Sequence, residues 1–147
     1  MPRYLDDFSE GQTFTTPRRT ITETDVVNFS ALTGDWNPIH TDAVFAAESA
    51  FGERIAHGPM SIGMAFGLLS RIDMFDGSVL ALRNVEWGFE APVRIGDTVH
   101  LEATVEEVSA HPRSKDRGRL TMTAKYVNQD GKTVSTGRFT VVIARKA

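Results

Sequence analysis

The sequence predicts an α+β domain in which one buried helix packs against a long antiparallel sheet. Two observations carry that prediction. Apolar residues recur at helical spacing in the first half of the chain, whereas the second half alternates apolar and polar residues at the period of strands. The strand-like stretches also follow one another with only short turns between them, which favours an antiparallel sheet over a doubly wound one. A chain of 147 residues has the size of one domain, so a single unit spanning 1–147 is expected.

Thr22-Glu23-Thr24-Asp25 opens the first helix: a capping hydroxyl stands three residues before a carboxylate that can return the bond. Val26, Phe29 and Leu32 continue it at three-residue spacing, and Gly34 stops it. Asp35-Trp36-Asn37-Pro38-Ile39-His40 is excluded from regular helix, because Pro38 disfavours helical geometry at Asn37. Thr41 is the expected cap of a second short helix containing Val44, Phe45 and Ala47. A third helix opens near Pro59, since Pro suits the first helical position. Ile62, Ala65, Phe66, Leu69 and Ile72 line one face of it and Met64 and Leu68 the other, so Ser61–Ile72 is the buried central helix. Gly63 and Gly67 each cost about 1 kcal/mol of propensity relative to Ala, and close packing of the helix there is the expected compensation.

Strands are predicted at Val79–Phe89, around Val99–Glu106, around Leu120–Tyr126 and at Thr133–Ile143, with a turn at Asn128-Gln129-Asp130-Gly131. The chain is 41% apolar and 24% charged, as a folded domain is. Its net charge of −3 gives no basic excess for nucleic acid. It has no Cys, hence no thiol nucleophile, disulfide or Cys-bound metal. There is no apolar leader, and the apolar stretch from Ile55 to Ile72 is short and interrupted by His57 and Pro59. A soluble cytoplasmic protein without a membrane span is expected.

Two segments carry candidate chemistry. Asp35 and His40 lie five apart on a Pro-constrained loop, and such a pair can share one water or one substrate proton. Alternatively, Asp35 and Asn37 make Asx turns and His40 is structural. Ile55-Ala56-His57-Gly58-Pro59-Met60-Ser61 sets Gly58 just before a helix N-terminus, where a bare backbone N–H can approach a carbonyl oxygen that gains negative charge. Alternatively, Gly58-Pro59 only begins the helix and His57 packs. No phosphate-binding loop, G-x-S-x-G elbow or H-E-x-x-H is present, so no metal is expected, although Asp35, His40, Asp42 and His57 resemble ligands. Arg113, Lys115, Arg117 and Arg119 form a basic cluster, read as a solvated turn between two strands or else a contact for an anionic ligand.

Taken together, these segments resemble the MaoC-like dehydratases, which include the (R)-specific enoyl-CoA hydratases of the hot-dog fold. The resemblance rests on Leu32-Thr33-Gly34-Asp35, Asn37-Pro38-Ile39-His40, Asp42, Phe45-Ala46 and Phe51-Gly52-Glu53-Arg54-Ile55-Ala56-His57-Gly58. It extends to Asp7–Phe14 at the start and to Asn84-Val85, Pro92-Val93 and Gly96-Asp97-Thr98 later. It implies a hot dog whose sheet surrounds the Ser61–Ile72 helix, and a homodimer or higher assembly. It further implies reversible hydration of a trans-2-enoyl-CoA to a (R)-3-hydroxyacyl-CoA. Asp35 and His40 would activate the water, and the Gly58 N–H would hold the thioester oxygen. Asn37, Pro38, His57 and Ser61 would support them, while Trp36 and Phe66 would shape the acyl pocket. Phe66 departs from the small polar residue that some hydratases of the family carry there. No cofactor is implied beyond the coenzyme A thioester as substrate. A hot-dog thioesterase and a non-catalytic acyl-CoA-binding protein are the competing readings.

Overall fold

In a computed structural model describing residues 1–147, the predicted caps set the first helix. Helix α1 spans Glu23–Thr33. The Thr22 hydroxyl accepts the Asp25 N–H, and the Asp25 carboxylate accepts the Thr22 N–H at 2.9 Å. Gly34 ends α1 in the left-handed conformation, φ 77°. Its buried face differs from the expected one. Val26 and Ser30 are buried, whereas Leu32 is 84% exposed.

The next segment departs from the prediction at its caps. Pro38–Thr41 form one helical turn, α2, and Ala43–Ala47 form α3. Asn37 caps α2 and stays non-helical, ψ 131°, as Pro38 requires. Asp42, not Thr41, caps α3, because its carboxylate accepts two N–H groups, from Val44 and Phe45, both at 3.0 Å. Thr41 instead ends α2 and donates its hydroxyl to the carbonyls of Trp36 and Asn37.

The central helix α4 spans Gly58–Ser70, with Met60, Ser61, Ala65, Leu68 and Leu69 buried. Gly63 and Gly67 correct the sequence reading: a Cβ built on either meets nothing within 4 Å. They border an open groove between α1 and α4 instead of a packed neighbour. No helix is long and apolar enough to cross a membrane.

Six strands follow the expected antiparallel scheme, with β1 (Thr13–Thr15) and β2 (Arg19–Thr20) too short to announce themselves as alternation. Strands β3 (Val79–Phe89), β4 (Thr98–Ala110), β5 (Arg117–Val127) and β6 (Thr133–Ala144) run in the order β1-β4-β5-β6-β3, and β2 pairs with β4. Even-numbered residues of β5 from Leu120 to Tyr126 point into the core, where Leu68, Leu69 and Phe139 join them. This sheet around α4 is a hot-dog fold. The basic cluster divides: Arg113 and Lys115 occupy the β4–β5 turn, whereas Arg117 and Arg119 belong to β5 itself.

Two features of the frame matter later. Strand β3 is an edge, and Val79, Leu80 and Leu82 on it are exposed. The chain ends are clasped together: Arg145 pairs with Asp6 at 2.6 Å, and Lys146 pairs with Asp7.

Candidate active site

Asp35 and His40 come together because an Asx turn at Asp35 leads straight into the single turn of α2 that carries His40. The Asp35 N–H donates to the Thr33 hydroxyl, and one Asp35 carboxylate oxygen accepts the Asn37 N–H, both at 3.2 Å. This is the Asx turn considered from sequence, and it leaves the other carboxylate oxygen free. Asn37 accepts the Ile39 N–H with its side chain, so its role here is a cap.

His40 is oriented by a single bond. Its Nδ1 lies 2.7 Å from the Ile55 carbonyl oxygen. A carbonyl can only accept, so Nδ1 carries the proton, and in the neutral ring Nε2 keeps its lone pair. Ile55 is held in turn from two sides. Its N–H donates to Ile39 O at 3.3 Å, and it bridges to Arg94. Arg94 also binds the Phe51 carbonyl and Glu53, and Arg54 pairs with Glu23 at 2.8 Å, which ties the segment to α1.

His57 sits beneath this pair and is 1% exposed. Its ring stacks on His40 with centroids 3.9 Å apart, and Phe29 lies against it at 4.8 Å. Its Nε2 is 3.1 Å from both the Asp35 backbone carbonyl and the Ser30 hydroxyl. The carbonyl again fixes the proton, here on Nε2. Nδ1 is therefore a buried lone pair, and it has no partner. A buried acceptor left unpaired costs about 1–3 kcal/mol. Burial holds the His57 pKa below the usual histidine value; the bond to the Asp35 carbonyl opposes that shift and the neighbouring His40 adds to it.

Asp35, His40 and His57 bring one donor atom each to within 4.8 Å of one another. The set does not suit a metal ion. The two imidazoles are stacked face to face, 27° apart, and one nitrogen of each is already taken, His57 Nε2 by Asp35 O and Ser30 and His40 Nδ1 by Ile55 O, which leaves no open ring of ligands around one ion. Asp42 is committed to capping α3.

Gly58 follows His57 and begins α4. No protein acceptor takes its N–H, which lies at the positive end of the helix. A cleft of about 310 Å³ opens there, lined by His57, Gly58, Ser61, Phe51, Phe89 and Ser135 among others. A Cβ at Gly58 would come within 3.2 Å of the Phe89 ring, so glycine is what keeps the floor of the cleft clear. Ser61 donates to the Gly58 carbonyl at 2.7 Å and steadies that first turn.

The structure brings Asp35 and His40 to His57 and sets His57, Gly58 and Ser61 on the cleft, whose lining includes neither Asp35 nor His40, while Asn37 and Pro38 cap and begin α2. It does not bring Trp36 or Phe66 to the cleft. Trp36 is 55% exposed, and Phe66 packs edge-on against Phe139 at 4.9 Å beside Phe75 and β3. Sequence reasoning missed Ser30, Phe29, Ile55 and Phe89. Only Ser30 carried a signal, as a polar residue four positions after Val26 on the buried face of α1.

A single hot-dog domain with a carboxylate and an imidazole at the N-terminus of its central helix defines the class of protein. The family model for the MaoC-like domain matches residues 7–143, and the chain belongs to that family of dehydratases and (R)-specific enoyl-CoA hydratases. It is 40% identical to protein MaoC of Klebsiella aerogenes over 116 residues, 78% of this chain but only 34% of that one. It is 38% identical to the 3-hydroxybutyryl-CoA dehydratase of Methylorubrum extorquens over 120 residues, 82% of this chain and 73% of that one. Among solved structures, the R-hydratase PhaJ1 of Pseudomonas aeruginosa superposes with a TM-score of 0.81 at 30% identity, covering 98% of this chain and 86% of the other.

Proposed function

We propose that this chain catalyses the reversible addition of water to a trans-2-enoyl-CoA, giving a (R)-3-hydroxyacyl-CoA. One observation carries the reading: a free Asp35 oxygen and the Nε2 side of His40 lie beside His57, the residue that leads directly into the unpaired Gly58 N–H. A dehydratase and an R-hydratase of the same family, acting on CoA thioesters or named for that chemistry, support it.

The chemistry follows from those groups. The Gly58 N–H and the positive end of α4 bind the thioester oxygen, where charge collects as the enolate forms. Asp35 and His40 hold one water over C3. The oxygen adds to C3 as the C2=C3 π bond breaks, the pair takes a proton from the water, and a proton passes to C2. The net change is one water added and no electron gained or lost. Pro38 and the Asx turn at Asp35 keep the pair in place before substrate arrives.

A homodimer is part of this proposal. The open β3 edge, with Leu80 and Leu82 exposed, is the surface on which a second copy would extend the sheet. Sedimentation or light scattering at several dilutions tests it, and a monomer at every concentration overturns it.

The reaction is tested with crotonyl-CoA as probe, following enoyl absorbance and free thiol together. Loss of absorbance without thiol, and a (R)-3-hydroxy product, is the expected result. Thiol release in its place would make the protein a thioesterase. No change with crotonyl-CoA and with a panel of longer enoyl-CoAs would overturn catalysis.

A further inference from the structure

We propose that His57 is the positioning residue of the site: one imidazole holds the backbone of Asp35, the ring of His40 and the start of α4 in a common register, and Ser30 anchors that imidazole. The inference rests on the hydratase reading and adds to it the device that sets the spacing of its parts.

The argument starts from which atoms the ring uses. The Nε2–H is shared between the Asp35 carbonyl and the Ser30 hydroxyl, each 3.1 Å away. The ring face lies on His40 at 3.9 Å. The main chain of His57 passes directly into Gly58, the donor to the thioester oxygen. The water-activating pair and the oxyanion donor come from segments more than fifteen residues apart, and this residue joins them: its side chain touches the pair and its main chain continues into the donor. A residue kept only as filler would be apolar, because that would leave no unpaired Nδ1 in the interior. His57 also provides no side-chain cap to α4, so capping does not explain the imidazole. What it supplies is an N–H aimed at one carbonyl and a flat face for a second ring. Ser30 faces it from the last turns of α1, from a position where an apolar residue would pack as well. Small errors in such placement matter, since a shift of about 1 Å at a reacting group can cost about 10²-fold in rate.

The test compares His57→Leu, His57→Gln and Ser30→Ala with the wild type on crotonyl-CoA, with thermal unfolding run alongside. His57→Leu should fold and lose about 10²-fold in kcat, with KM changed by less than about threefold, because positioning acts on the reacting geometry. His57→Gln places an N–H near the former Nε2 and should recover about tenfold over Leu. Ser30→Ala should cost roughly threefold to tenfold, since the Asp35 carbonyl still holds the ring. A purely structural role would give no such recovery by Gln. In the wild type, 15N NMR of the imidazoles should find His57 neutral with the proton on Nε2. Unchanged kcat in a folded His57→Leu, no gain by Gln over Leu, or a proton on Nδ1 overturns the proposal. Should His57→Leu fail to fold, Ser30→Ala and the tautomer decide it. Should the wild type itself not hydrate the probe, the hydratase reading falls. The brace then stands or falls on whether Ser30→Ala shifts the Asp35 and His40 resonances.

Discussion

Replacing Asp35 by Asn removes a charge and a proton acceptor while changing the shape of the loop little. The carboxylate oxygen that receives the Asn37 N–H at 3.2 Å has a counterpart in the amide oxygen of Asn, so the Asx turn survives. The bond from the Asp35 N–H to Thr33 does not involve the side chain and also survives. The residue is exposed, and surface substitutions of this kind stay within about 0.5 kcal/mol. For a domain near this size that is a shift of about 2 °C or less in Tm. Activity should respond very differently. A positioned acid or base contributes about 10²–10⁴-fold, which is about 2.7–5.4 kcal/mol in the barrier. Initial rates on crotonyl-CoA, read beside a thermal melt of the same preparation, give both numbers. A variant with unchanged Tm that keeps more than about a tenth of the wild-type kcat would refute the assignment of Asp35 to proton transfer.

Three further outcomes are expected. Gly58→Pro deletes the unpaired N–H and should lower kcat by about 10²–10³-fold, measured as single-turnover rate. Gly137→Ala should destabilise by about 1–3 kcal/mol in urea unfolding, because a Cβ there runs into the Trp87 ring across the β3–β6 pair. His57 should make folding pH-dependent. Burial lowers its folded pKa below 6.5, so the unfolded chain takes up a proton first as pH falls. Stability is then fully present above about pH 6.5 and falls below it, by at most about 1.4 kcal/mol per pH unit, until the folded pKa is passed; His57→Gln should abolish that component in melts from pH 7.5 to 5.

Local codes were readable and dispersed ones were not. Thr22, Asp25 and Gly34 announced α1 because a cap depends on residues three apart, and the alternation of β4 and β5 was legible because one face of each is buried, whereas edge strand β3 buries neither face. The Asp35–His40 pair was visible as a spacing on a constrained loop. Its orientation was not, because it depends on the Ile55 carbonyl fifteen residues on. Ser30 and His57 meet across twenty-seven residues, and nothing in either neighbourhood points to the other. Gly58 was singled out for its N–H, but the ring that crowds a side chain there, Phe89, comes from a distant strand. Gly63 and Gly67 misled because small residues on a helix mark close approach only when a neighbour is there.

The clasp between Asp6 and Arg145 bears on how the protein can be handled. Asp6 and Asp7 of the N-terminal segment meet Arg145 and Lys146 just past the C-terminal end of β6, whereas Ser135 near the start of β6 borders the cleft. At about 3.3 Å per residue the two points lie about 30 Å apart. A tag, a surface tether or a fused second protein attached at either end therefore lies away from that cleft. Joining the ends by a short linker and reopening the chain at Asn128–Gly131 would yield a circular permutant with the same sheet order.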